Sequence, residues 1–227
     1  MGKPDIIYED NDIIVCYKPA GIATQTRRIG QQDMESFIRN YRAAKNEPPY
    51  VGIVHRLDQP VEGVMVFAKN QKAAASLSRQ IKEHTTEKYY RAASRGQGVS
   101  GAAVEDEEAW HTLTDYISFD KRTNTSKITS EKDRLAKKAV LQYRVISVTP
   151  DRDSSQNECI RTEFDIKLLT GRHHQIRLQL ANIGYPLIGD TKYGRTGGGV
   201  REQLALCSYK IVFDHPATGE RMTFELP

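Results

Sequence analysis

Between residues 51 and 68 an apolar run, Val51-Gly52-Ile53-Val54, stops abruptly at His55-Arg56-Leu57-Asp58. Pro60 and Gly63 follow, and a second apolar run, Val64-Met65-Val66-Phe67-Ala68, begins. An imidazole, a guanidinium and a carboxylate therefore share a four-residue loop between two strand-like segments. Loops held by buried strands are where a rigid scaffold presents functional groups. A lone carboxylate there can act as a nucleophile, or as a general acid or base if its pKa is tuned. A glycosidase would need a second carboxylate at fixed separation, and the sequence singles none out. The structural alternative is a surface ion pair between Arg56 and Asp58.

Two further stretches carry chemistry. In Gly171-Arg172-His173-His174-Gln175-Ile176-Arg177 a helix is expected to start directly after a strand. Exposed N–H groups at a helix start favour anions, and the two arginines add to that. The alternative is a glycine turn with basic surface residues. His173 and His174 are adjacent, and side chains at i and i+1 diverge on a helix, whereas chelation takes i and i+3 or i+4. No metal is expected. In Lys88-Tyr89-Tyr90-Arg91-Ala92, two successive strand tyrosines point to opposite faces. An aromatic beside a basic groove is how a splayed-out base is gripped. Packing alone suits Tyr89 better.

The elements that must hold these groups can be read from periodicity. The N-terminal segment reads as two short strands around a turn at Asp10-Asn11-Asp12. Met34, Phe37, Ile38 and Tyr41 form one helical face with Asp33 as N-cap. Ala74, Leu77 and Ile81 form another behind Asn70. The segment 139–148 and the segment 160–170 are clear strands. In the second, Ile160, Phe164, Ile166 and Leu168 alternate with Arg161, Glu163, Asp165 and Lys167, predicting one buried and one wet face. Ile176, Leu180 and Ile183 mark the third helix, with Gly184 as its stop. The C-terminus reads as two strands joined by a turn at Pro216 to Gly219. Residues 95–135 are polar and weakly periodic, an insertion or mobile segment with room for a hairpin around Asn124. Few helices among many hairpin-linked strands predict an α+β fold on a mostly antiparallel sheet, built as one domain over residues 1–227.

Composition narrows the function classes. Over 227 residues, 27% are charged and 38% hydrophobic, as in an ordinary globular protein. No stretch has the apolar length of a membrane span, and the N-terminus has no signal-peptide character, so a cytoplasmic location is expected. Three dispersed cysteines argue against a disulfide framework or a zinc site. The net charge of +4 is only mildly basic. An acidic run, Glu105 to Glu108, offsets basic clusters at Arg27-Arg28, Lys121-Arg122, Lys132 to Lys138, and Arg172 with Arg177, so some faces are more basic than the total. Each cluster taken alone reads as solvated surface.

The order of these stretches resembles one family, the RluA-type pseudouridine synthases. "HRLDQPVEG" is similar to their H-R-L-D-x-x-T-S-G, "YKPAG" to their K-P-x-G and "KYYRA" to their K-x-Y-x-A. "GRHHQIRLQLANIGYPLIGDTKYG" is similar to their G-R-x-H-Q-I-R and the G-x-P-x-x-G-D-x-x-Y-G after it, and "HPATGERMTFELP" to their final hairpin. The resemblance spans residues 5 to 227. It departs in two places. Val61-Glu62-Gly63 stands where T-S-G is usual, and the chain begins at the catalytic core without an S4-type RNA-binding domain, so RNA affinity is expected from the core surface.

The resemblance implies isomerisation of uridine to pseudouridine in ribosomal or transfer RNA. No atoms are gained or lost, so no cofactor is implied. No obligatory protein partner is expected, and a monomer is the simplest arrangement. It implies Asp58 as nucleophile, attacking the sugar or the base. It also implies Tyr90 stacking on uracil as a candidate for removing the C5 proton, and Arg177 as the basic partner that keeps Asp58 ionised. The target base must flip out of its stack. Arg56 is then expected in the vacated space, with His55, Arg172 and His173 as further RNA contacts. His55 is assigned either loop orientation or a phosphate contact. The rival readings are a non-catalytic RNA-binding module on the same fold and an RNA glycosylase that stops after bond cleavage.

Overall fold

The computed structural model describes residues 4–26, 30–96, 109–153, 157–194 and 202–227. Arg27, Arg28 and the acidic run at 105–108 lie outside the described residues. The chain divides into two compact units, one of residues 1–88 with 207–227 and one of residues 89–206.

In the first unit, β1 (Asp5–Glu9) and β2 (Ile13–Lys18) form the expected hairpin. The strand β4 (Glu62–Ala68) lies antiparallel to β2 along its whole length. One edge of β4 takes the short β3 (Gly52–Ile53) at one end, and at the other a parallel pairing with β10 (Leu206–Asp214), which in turn pairs with β11 (Arg221–Glu225). Alternate residues of these strands, Ile13, Val15, Val64, Val66, Ile211 and Phe213, form the core with Ala73 and Leu77 of α2 (Gln71–Lys82). Burying each large apolar side chain contributes roughly 1.5–3 kcal/mol. Asn70 caps α2 by accepting from the Ala73 N–H at 2.8 Å. The buried face of α2 is Ala73, Leu77 and Gln80, one position off the expected Ala74 stripe. Gln80 explains the rotation: its amide exchanges hydrogen bonds with both backbone groups of Asp214. Helix α1 (Met34–Ala44) starts in a reciprocal capping box between Asp33 and Ser36.

In the second unit, β5 (Glu87–Gly96), β9 (Glu158–Leu168), β8 (Lys137–Arg152), β6 (His111–Asp120) and β7 (Thr125–Thr129) follow one another antiparallel. The hairpin around Asn124 is present, with Asn124 in a left-handed conformation (φ 51°) at its tip. Within the weakly periodic segment, residues 97–108 fall outside the described residues and the rest is largely strand. Strand β9 departs from a clean wet face: Asp165 is buried, because strands flank β9 on both sides and Arg144 of β8 reaches it at 2.9 Å. Helix α3 (Gln175–Asn182) is shorter than expected and packs on β6 and β7, with Leu178 against Ile117 and Ala139. Among the described residues no helix is long and apolar enough to cross a membrane.

Candidate active site

The loop carrying Asp58 is tied down by residues distant from it along the chain. The buried Thr24 hydroxyl accepts from the Leu57 N–H at 3.1 Å and donates to the Leu57 carbonyl at 2.9 Å. Both backbone groups next to Asp58 are thus held by one side chain. Lys18, fully buried, aims Nζ at the carbonyl oxygens of Pro19 (3.1 Å), Ile22 (2.6 Å) and Gln59 (3.2 Å). Gly21 and Gln59 also exchange two hydrogen bonds, Gly21 N–H to Gln59 O at 2.8 Å and Gln59 Nε2 to Gly21 O at 3.0 Å. Asp58 is therefore flanked by clamped backbone, and its own carbonyl accepts from the Val61 N–H in a tight turn.

Electrostatics gives Lys18 a second part. Burial pushes its ammonium down to about 8, and the negative charges of Asp58 and Glu62 oppose that fall. The same Coulombic coupling acts in reverse and favours ionised Asp58. Lys18 belongs to the "YKPAG" stretch. Its length and charge are legible there; its burial is not.

His55 places Nε2 as acceptor from the Val66 N–H at 3.1 Å. Its ring is held neutral, with the pKa pushed down to about 3 by burial and secondarily by the Lys88 charge. Of its two expected roles, orienting the loop fits a neutral, backbone-bonded imidazole better than holding a phosphate. Arg56 is exposed and donates to Gln25 Oε1 at 3.0 Å. Glu62, the departure from T-S-G, accepts from the Tyr17 hydroxyl at 2.8 Å. The glycine after it is required: Gly63 has φ 138°, and a Cβ there would sit 2.2 Å from the Ser208 carbonyl oxygen.

In the second unit, Arg177 is buried on α3 and grips Asp190 with a two-point fork, Nε to Oδ2 at 2.8 Å and Nη2 to Oδ1 at 2.7 Å. Asp190 also accepts from the backbone N–H groups of Lys192 and Tyr193, and Arg177 and these N–H groups together hold its carboxyl low against the effect of burial. The Arg177 guanidinium lies 5.4 Å from the Tyr193 ring centre. Asp190 and Tyr193 belong to the G-D-x-x-Y-G stretch, whose spacing alone does not tell which residues they contact.

Helix α3 begins at Gln175, not at Gly171, so the expected basic helix start is displaced. His174 is the N-cap residue in a left-handed conformation (φ 54°) and makes no capping hydrogen bond. Its Nδ1 hydrogen-bonds with the Tyr193 hydroxyl at 2.9 Å, and that hydroxyl accepts from the Ser126 N–H at 2.7 Å. Arg172 donates to the Lys138 carbonyl at 2.8 Å. His173 stacks on His174. Of the two tyrosines, Tyr90 is the more buried and Tyr89 is half-buried under the Lys167 ammonium, so burial falls opposite to the packing role expected for Tyr89.

The cluster that could hold a metal among the described residues is Asp10, Asp12 and His215. His215 Nδ1 accepts from the N–H groups of Ala217 and Thr218, so its proton sits on Nε2 and is donated to Asp10 at 2.9 Å. Neither ring nitrogen then offers a lone pair, and the cluster serves as a fastener for the C-terminal turn.

The profile of the RNA pseudouridylate synthase family matches residues 12–182. The chain is 32% identical over its full length to a Bacillus subtilis protein named "Uncharacterized RNA pseudouridine synthase YhcT", of which it covers 69%. It is 32% identical over 98% of its length to the "Ribosomal large subunit pseudouridine synthase D" of Vibrio cholerae, covering 67% of that protein. Among solved structures, human RNA pseudouridylate synthase domain containing 1 superposes with a TM-score of 0.75 at 23% identity, over 99% of this chain and 83% of the other. That likeness establishes the fold, an α+β architecture on a mostly antiparallel mixed sheet. The chain belongs to the RNA pseudouridylate synthase family, enzymes that isomerise uridine to pseudouridine in RNA.

Proposed function

We propose that Asp58 is the nucleophile of this isomerisation, attacking either C1′ of the ribose or the uracil ring. The N1–C1′ bond breaks, the base turns, C5 bonds to C1′, the covalent bond to Asp58 breaks to return the free carboxylate, and the C5 proton lost to solvent is matched by a proton that N1 takes up. Covalent catalysis divides a hard step into two easier ones. The observation that carries the assignment is the clamped H-R-L-D loop in a chain of this family. Thr24 and Lys18 fix the backbone around Asp58, and the Lys18 charge favours its ionised form. A nucleophile held this way loses little freedom on reaching the reacting atom.

Tyr90 and Arg177 act in the same reaction, Tyr90 against the flipped uracil and as the candidate acceptor of the C5 proton, Arg177 as a basic partner. Arg56 fills the space that the flipped base leaves, using a planar cation that stacks on neighbouring bases. His55, Arg172 and His173 support RNA binding, His55 through the loop. Flipping costs roughly a few kcal/mol, least for an unpaired uridine. The substrate is a structured RNA, and the name of the Vibrio cholerae relative favours ribosomal over transfer RNA. Residues 1–227 work as one catalytic domain, as a monomer, in the cytoplasm and without a cofactor.

The test is total RNA carrying tritium at uracil C5, incubated with the wild-type protein and with Asp58→Asn. Tritium release by the wild type without free uracil, abolished in Asp58→Asn, is expected. Free uracil would make the protein a glycosylase, and neither product would make it a binding module. Unchanged release by Asp58→Asn would remove the aspartate from the chemistry.

A further inference from the structure

The residues that lead into helix α3 and the β6–β7 hairpin carry a graded series of ring contacts. His174 is buried, and His173 lies on it with ring centres 3.7 Å apart and planes 29° from parallel. Phe119 of β6 follows at a tilt, its ring centre 4.3 Å from that of His173 and the two planes 48° apart. The series ends there, with Phe119 leaving 39% of its surface to solvent. An exposed phenylalanine alone is unremarkable. This one is backed by a ring that cannot drift. The Ser126 hydroxyl donates to the His173 carbonyl at 2.9 Å, so its oxygen is left to accept from His173 Nδ1 at 3.0 Å. Ser126 stands opposite Phe119 in the ladder, and its N–H is anchored on Tyr193.

Positive charge gathers at the hairpin turn that follows Phe119. Lys121 and Arg122 are exposed in the hairpin turn, and Lys192 Nζ donates to the Asn124 carbonyl of the same turn. Arg172 precedes His173. The acid in that turn, Asp120, accepts from the Arg122 N–H, and this, the Thr123 hydroxyl and, least, the Lys127 charge hold its carboxyl low.

We propose that Phe119, backed by His173, is a stacking platform for one unpaired nucleotide of the RNA substrate, with Lys121, Arg122 and Lys192 contacting the flanking phosphates. An anionic strand suits the charge, and a base suits an exposed ring in a way that a duplex, whose bases are already stacked, does not. This inference rests on the RNA-modifying reading above and adds a place where the strand outside the target uridine is held. The platform tolerates any base, because every base has a π-face.

The probes are a fluorescein-labelled oligouridine of twelve nucleotides and an RNA duplex of the same length, titrated against wild type, Phe119→Ala, Phe119→Leu and Phe119→Tyr. Loss of one stacked base predicts a drop in oligouridine affinity between about fivefold and a hundredfold in Phe119→Ala and Phe119→Leu, with Phe119→Tyr restored. Duplex affinity stays within twofold, and the salt dependence is unchanged. Lys192→Ala lowers the magnitude of the slope of log oligouridine affinity against log salt by about 0.7. Phe119→Leu keeps the apolar bulk, so it separates stacking from folding. Oligouridine affinity within twofold of wild type in Phe119→Leu, or equal losses on both probes, overturns the platform. So does a wild type that binds no oligouridine. Binding is read without turnover, so failure here leaves the tritium-release result for Asp58 standing, and the reverse also holds.

Discussion

Arg177 and Asp190 form a fully buried two-point ion pair, 2.8 and 2.7 Å long, with both carboxylate oxygens engaged. A planar fork matched to a carboxylate fixes the orientation of the guanidinium as well as its position. The pair is therefore an alignment device for a residue proposed to take part in the reaction.

Breaking it is expected to be expensive. Asp190→Asn leaves a buried guanidinium without its counter-charge and is predicted to destabilise by about 3–5 kcal/mol. Arg177→Lys keeps the charge but loses the fork, and is predicted to lose activity by more than its smaller stability change accounts for. Urea unfolding midpoints, read beside tritium release, check both. An Asp190→Asn protein as stable as wild type would contradict the role given to the pair.

Thr24 is predicted to matter through one hydroxyl. Thr24→Val keeps the shape and strands the Leu57 N–H and C=O, costing about 1–3 kcal/mol and lowering kcat through a looser Asp58 loop. Thr24→Ser retains the hydroxyl and is expected to recover most of the loss. Equal behaviour of the valine and serine variants would remove the strap from the account.

Lys18→Met removes a buried cation whose field reaches Asp58. Without it the Asp58 carboxyl protonates more readily, so the acid limb of the pH–rate profile is predicted to move to higher pH. RNA affinity at neutral pH should change less than kcat. An acid limb that stays in place would mean that Lys18 acts on the loop through its hydrogen bonds alone.

His55 has a folded pKa of about 3, well below its ordinary 6.5. As pH falls through 6.5 the unfolded chain takes up a proton that the folded chain refuses, so stability falls between about 6.5 and 3. The loss is at most about 1.4 kcal/mol per pH unit from this residue. His55→Gln is predicted to flatten that part of the stability curve measured by urea unfolding at pH 7 and pH 4.5. Parallel losses in both proteins would assign acid sensitivity to other groups.

Gly63→Ala is predicted to yield little folded protein. The added carbon meets a backbone oxygen of β10, at a φ that side chains rarely adopt. Soluble expression compared with the wild type is the measurement, and normal yield would show that the β4–β10 pairing can yield.

Several of these features are legible along the chain. Local signals set the helix starts at Asp33 and Asn70 and the turn at Asn124, because a cap or a left-handed residue acts within its own few neighbours. The ordered motifs carried the family and pointed to Asp58, because a reaction fixes residue types at set places along the chain. Tertiary structure alone decided the rest. Thr24 lies 33 residues from the peptide that it clamps, and Lys18 lies 41 residues from the Gln59 carbonyl. Asp190 became the counter-ion of Arg177, and Asp165 became buried on a strand that reads as half wet. Each of these depends on which charges lose water together when distant segments pack. Desolvation of that kind belongs to the assembled fold and leaves no mark on spacing.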